Sequence, residues 1–145
     1  MRKSTAVRNA IADAFDAEVN TGAGTAVLEV YTGSAPGTFG AAPAGTLLGT
    51  FALANPAFGA SASGTITLAG VPIAEDGLAA GTVGYVRCVN RNGDVVSDSE
   101  RVGTAGAPHA NGNEFTFDTL TVSVGLPLSL TAWTVTMPVG TADGS

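Results

Sequence analysis

A chain of 145 residues is the size of one domain, about 100–150 residues, and is long enough to bury a core without staples; its single cysteine, Cys88, excludes an intrachain disulfide. The net charge is −6, but Arg2, Lys3 and Arg8 sit in the first eight residues and the rest carries three bases against twelve acids, which excludes the basic face a nucleic-acid partner needs. Charged residues make up 12% of the chain, against about 25% in ordinary soluble domains, and no apolar run reaches the ~18–20 residues of a membrane span.

The opening segment MRKSTAVRNAIADAF carries acids before any apolar run forms, so it does not read as a signal peptide. Residues 4–19 hold the one clear helical period. Val7, Ile11, Ala14, Phe15 and Val19 fall on one predicted face, Ser4 or Thr5 is placed to cap the start, and Gly22 to stop the helix. The period then changes to two. In 25–32, Ala26, Leu28 and Val30 alternate with Val27, Glu29 and Tyr31. A Gly/Ala/Pro loop follows, from Ser34 to Pro43, and its one large apolar residue is Phe39. Further strands are expected over 45–54 and 65–70. Segment 71–81 reads either as a helical turn or as a loop. The runs 81–90 and 93–103 flank Asn90-Arg91-Asn92-Gly93, a hairpin signal. The last pair, 115–124 and 128–137, is joined by Gly125-Leu126-Pro127, with a bulge expected at Asp118–Thr119.

This pattern predicts a mainly β protein: an antiparallel β-sandwich or jelly-roll-like domain of seven or eight strands with one N-terminal α-helix. The expected division is a basic arm and amphipathic helix over 1–24, a β-sandwich over 25–138 and a flexible tail over 139–145.

Reactive chemistry finds little support. The sole histidine, His109, lies in a Gly/Ala/Asn loop, and no serine stands in a G-x-S-x-G elbow. Asp94, Asp98 and Glu100 at even spacing share one face of a strand, where they could hold a calcium ion or simply form a charged edge. Glu29, Glu114 and Asp118 are the carboxylates available for glycoside chemistry, and nothing in the sequence brings them together. Cys88 reads as a small buried residue in a strand. No catalytic, cofactor or metal residues are assigned, and no enzyme activity is expected. Contact with other proteins is assigned instead to the basic arm (Arg2, Lys3, Arg8), to Val27 and Tyr31 on the outer face of the first strand, and to Phe39.

Three segments carry a family resemblance. VYTGSAPGTFGAAPAGTLLGTFALANPAFG (30–59), GYVRCVNRNGDVVSDSERVG (84–103) and FTFDTLTVSVGLPLSLTAWTVTMP (115–138) resemble the small virion-associated β-sandwich proteins of tailed bacteriophages and prophages. Together they span roughly residues 25–138. The resemblance implies a capsid decoration or cement protein, made in the host bacterial cytoplasm and carried on the virion surface. Its implied partners are the major capsid protein, copies of itself, or both, in an oligomer or symmetric array, with no nucleic acid, membrane or cofactor involved. A tail, neck or fibre-base component is the alternative within that class. A carbohydrate-binding β-sandwich module is the alternative outside it, with Trp133, Tyr31 and Tyr85 as its candidate platform.

Overall fold

A computed structural model describes residues 1–143, and among these the chain forms one α-helix and eleven strands. The first sheet has the order β2-β1-β6-β7, built from β1 (Val27–Tyr31), β2 (Leu47–Ala52), β6 (Tyr85–Val89) and β7 (Val95–Ser99), all antiparallel. The second is organised around the ten-residue β11 (Pro127–Thr136). On one side β11 pairs with β9 (Phe115–Phe117). On the other it pairs first with β4 (Ile73–Asp76) and then with β3 (Thr65–Thr67). The two-residue β8 (Val102–Gly103) runs parallel to β9, and β5 (Gly81–Thr82) pairs with β10 (Thr121–Val122) as a small separate ribbon.

The two large sheets face one another across an apolar core, as period-two strands require if their inward residues are to leave water. Leu28, Val30, Phe51, Val86 and Cys88 come from one side and Phe115, Phe117, Leu128, Leu130 and Trp133 from the other. Phe51 meets Phe117 across the gap at 6.0 Å between ring centroids. The fold is therefore mainly β and sandwich-like with a single N-terminal helix, and the short β5, β8 and β10 raise the strand count above the seven or eight expected.

Helix α1 (Thr5–Val19) packs on this chain's own core. Ser4 caps it, its hydroxyl accepting from Val7 N at 3.2 Å. The buried side is set by Ala12, Phe15 and Val19, with Phe15 edge-on to both Phe58 and Trp133. This corrects the expected face: Val7, Ile11 and Ala14 project to solvent, about one residue's rotation (~100°) away from the buried line. The stop also differs. Asn20, not Gly22, ends the helix. Its side-chain N–H₂ donates to Asp16 O at 2.9 Å and its Oδ1 accepts from Ala57 N at 2.9 Å, tying the helix end to the loop before β3.

Two other local expectations are revised. Segment 71–81 contains the strand β4 rather than a helical turn or loop. It lies along β11 with Ala74, Glu75 and Asp76 exposed, so it carried no apolar alternation to read. The expected bulge at Asp118–Thr119 is a break between β9 and β10, which enter different sheets. Asp118 Oδ1 makes the break by accepting from Thr119 N and Ser129 N, both at 2.9 Å. The Asn-Gly hairpin forms as expected. Gly93 takes φ +91°, and Asn90 Oδ1 accepts from the amides of Asn92 and Asp94. Of the expected flexible tail, Val139 O accepts from Lys3 N at 2.8 Å, while residues 144 and 145 lie outside the described residues.

Candidate functional site

The outer face of the first sheet carries a compact polar-aromatic cluster. In register across β1, β6 and β7, Tyr31 faces Tyr85 and Glu29 faces Arg87, which in turn faces Asp98. The two tyrosine rings stack at 5.1 Å. The Arg87 guanidinium forms a two-point pair with Asp98, Nε to Oδ1 at 2.7 Å and Nη2 to Oδ2 at 3.0 Å, with side-chain exposures of 4% and 8%. Tyr31, expected as an exposed contact, is on this outer face but only 6% accessible, and Val27 beside it is half-buried. The long side chains lie against one another, and the start of the following loop crosses the corner. Gly84 N donates to Tyr31 O, and Ala35 N donates to Glu100 Oε1 at 2.8 Å. A side chain at Gly84 would collide with the backbone of Gly33, so the loop approaches the entry to β6 this closely only because Gly84 has no Cβ.

Burial sets the acid-base behaviour of this face. Desolvation, assisted by the Glu29 carboxylate, pushes the Tyr31 phenol up from 10.0 to about 12, and desolvation raises Tyr85 as well. In the core, burial pushes the Cys88 thiol up to about 12, with the Glu114 carboxylate acting in the same direction. The hydrogen bond and charge of Asp98 raise the Arg87 guanidinium against its desolvation. For a group whose folded pKa lies above its unfolded value, the stabilisation is complete below the unfolded pKa and is lost as pH rises through the folded one. Stability is therefore expected to decline between pH 9 and pH 12 as Cys88 and Tyr31 ionise more readily in the unfolded chain. Urea unfolding across this range checks it, together with a titration of phenolate absorbance in native and unfolded protein; native absorbance rising in step with the unfolded chain would contradict the burial of Tyr31.

The loop of residues 32–46 is closed at its neck. Thr32 N donates to Thr46 O at 3.0 Å and Thr46 N donates to Thr32 Oγ1 at 2.9 Å. Phe39 projects from it with 62% of its surface exposed, the one aromatic side chain of the nine left in solvent. In the basic arm, Arg2 is exposed and Lys3 half-buried. Arg8 turns inward, donating from Nη1 to Ser63 O at 2.8 Å and so fastening the helix to the turn before β3. Of the six residues expected to touch a partner, the structure leaves Phe39 and Arg2 the most open, and it does not bring the arm, Val27 and Phe39 into one site.

The reactive readings separate in space. Asp94 lies in the hairpin turn, outside β7, and the register slips at Cys88/Val89, so it does not share a strand face with Asp98 and Glu100. Asp98 is taken by Arg87 and Glu100 by Ala35 N, and among the described residues no three metal-ligating side chains come together. Glu114 accepts from Trp133 Nε1 at 3.1 Å, while Asp118 holds the β9–β10 break. His109 Nδ1 accepts from Asn111 N at 3.1 Å within its own loop. A shallow cleft of about 140 Å³ opens beside Arg101, Asn113, Glu114 and Thr134, and Arg101 Nε there already donates to Gly112 O. No helix among the described residues is long and apolar enough to cross a membrane.

Sequence reasoning overlooked a group of exposed apolar side chains: Leu78, Val124 and Leu126, on turns that meet at one end of the molecule. The signal available was a pair of large aliphatics set among Gly and Pro in SVGLPL, which a hairpin turn does not need.

Comparison with protein-family models, with curated proteins and with solved structures returns no match. The class defined by the fold is thus architectural: a sandwich-like, mainly β protein with an N-terminal helix built into its core.

Proposed function

We propose that this protein is a virion structural component, a capsid decoration or cement protein of the tailed-bacteriophage type that binds and stabilises the major capsid shell. The observation that carries the reading is Phe39. It is a large apolar side chain held in water at the tip of a loop of small, uncharged residues, and the loop's neck is pinned by two hydrogen bonds. Such a loop contributes nothing to this chain's core and lets a partner backbone lie close, so its anchor is suited to a pocket on a neighbouring protein. The resemblance of residues 30–59, 84–103 and 115–138 to small phage virion proteins supplies the partner. Each copy supplies a modest contact, and a lattice of shell sites multiplies it through effective concentration.

The carbohydrate-module alternative is disfavoured by the burial of its three platform candidates, Trp133, Tyr31 and Tyr85. No feature of the fold favours a tail or neck position over the shell.

The test is cosedimentation with empty phage capsid shells. Removing residues 1–20 is unsuitable, because Ala12, Phe15 and Val19 belong to the core and their loss would unfold the chain. Phe39→Ala is the better variant. It is expected to weaken shell binding by about 30-fold, the loss typical of a central apolar anchor. The fold should change by no more than about 0.5 kcal/mol, because the side chain is exposed. Wild-type protein that stays in the supernatant, or a variant that decorates shells as well as wild type, overturns the assignment.

A further inference from the structure

We propose that the chain self-associates head to tail through two small apolar patches of opposite charge at opposite ends of β11. The first patch is Leu78, Val124 and Leu126, all exposed and gathered by two backbone bonds: Gly77 N to Leu126 O and Gly125 N to Gly77 O, both 2.9 Å. Two exposed acids adjoin it. Glu75 and Asp76 end β4, and Asp76 stands opposite Pro127, the first residue of β11. The second patch lies beyond the last residue of β11. There Val139 is exposed and its carbonyl is bonded to Lys3 N, and Val7 and Ile11 project from the first turns of the helix that Arg2 and Lys3 precede.

Charge separates the two ends. Four of the six bases are committed inside the chain: Arg8 to Ser63 O, Arg87 to Asp98, Arg91 to Gly22 O and Arg101 to Gly112 O. Among the described residues, the side chains of Arg2 and Lys3 make no hydrogen bond or ion pair, and neither do those of Glu75 and Asp76. One apolar patch therefore has two uncommitted cations beside it and the other two uncommitted acids. Ten residues of β11 at about 3.3 Å each hold the patches roughly 30 Å apart, too far to satisfy one another within a copy.

That arrangement fits a second copy of this chain. The acidic end of one molecule complements the basic end of the next, whereas a two-fold contact centred on either end would set like charges together. The contact is heterologous, so it continues into a ring or an open row rather than stopping at a dimer. It needs no capsid, and its test is separate from that of the Phe39 loop.

The experiment is sedimentation velocity on the whole chain over a concentration series at low and high salt. Wild type is expected to grow beyond a dimer of its 14.2 kDa monomer as concentration rises, and to dissociate in high salt. Glu75→Lys/Asp76→Lys makes both ends basic, and Arg2→Glu/Lys3→Glu makes both ends acidic. Either variant alone is expected to associate about 100-fold more weakly than wild type. An equimolar mixture of the two is expected to recover assembly, because every contact between unlike variants is again complementary. Leu126→Ser, which removes apolar area without adding charge and keeps β11 intact, is expected to weaken assembly in the same way. All the substituted side chains are at the surface except the half-buried Lys3, and circular dichroism confirms that each variant is folded. Wild type that remains monomeric throughout overturns the proposal. So does assembly that stops at a dimer, association of either variant alone at wild-type strength, or a mixture that stays monomeric.

Discussion

Trp133→Ala is expected to destabilise the fold by about 3–5 kcal/mol, the range for removing a fully buried large aromatic, and to lower Tm by about 10–15 °C. The indole is the junction of three parts of the chain. It stacks on Phe115 of the neighbouring strand at 4.7 Å and 21°. Phe58, from the loop before β3, lies T-shaped to it at 4.7 Å and 60°, and Phe15 of the helix lies T-shaped to it at 6.0 Å and 88°. Its Nε1–H is the hydrogen-bond partner of Glu114 Oε1. Truncation therefore opens a cavity and removes the aromatic contact between Phe15 of the helix and β11 of the second sheet. It also strips a donor from a half-buried carboxylate, which places the cost toward the upper end of the range. Trp133→Phe separates these effects. It keeps a ring for Phe115 and Phe58 but lacks the N–H, so it is expected to cost clearly less than alanine. Urea unfolding followed by far-ultraviolet circular dichroism measures both. A loss below about 1 kcal/mol for alanine would mean that the helix and sheets do not depend on this cluster.

Trp133 was legible in the sequence as the head of an inward run with Val135 and Met137, but that run is out of phase with Leu128 and Leu130. The register shift between Leu130 and Ala132 against β9 brings both onto the core side. The same pattern located Ala26, Leu28 and Val30, and Asn-Gly located the 90–93 turn. These succeed because strand alternation and turn chemistry are local properties. The failures have a common physical origin in tertiary choice. The helix offered two adjacent apolar lines, one through Val7, Ile11 and Ala14 and the other through Ala12, Phe15 and Val19. Only the position of Phe58 and Trp133 decides which one is buried. Strand β4 was hidden because three of its four residues are exposed and its structure is supplied by β11. Tyr31 was placed on the correct face, but its accessibility depended on stacking with Tyr85, a residue 54 positions away in the chain. Phe39 could be singled out as the loop's one large apolar group, yet whether it tucked inward or faced solvent required the fold.

The Arg87–Asp98 pair is expected to show a large and asymmetric response to substitution. β7 is an edge strand on which every residue is only partly buried, so no large apolar side chain fastens it firmly to the core. The two-point bond from Arg87 on β6 fills that role, in a position where both partners are almost out of water. Breaking such a pair from one side leaves an uncompensated buried charge, at a cost of about 3–5 kcal/mol. The two sides are not equivalent here, because Glu29 on β1 stands directly opposite Arg87 in register. Asp98→Ala leaves the guanidinium with a second carboxylate within the same row. Arg87→Ala leaves two carboxylates on one face with no cation between them, and it also strips a long stem from beside Tyr85. Arg87→Ala should therefore be the more damaging change, and Asp98→Ala should fall at or below the low end of the range. Replacing both residues with apolar ones, Arg87→Met/Asp98→Leu, is expected to recover most of the loss, since a close-packed hydrophobic pair substitutes well for a buried ion pair. Chemical denaturation of the four proteins at neutral pH measures the three losses, and Arg87→Ala/Asp98→Ala completes the cycle that gives the coupling. Equal losses under about 0.5 kcal/mol for both single variants would show the pair to behave as a screened surface contact, and β7 would then be held by its backbone ladder alone.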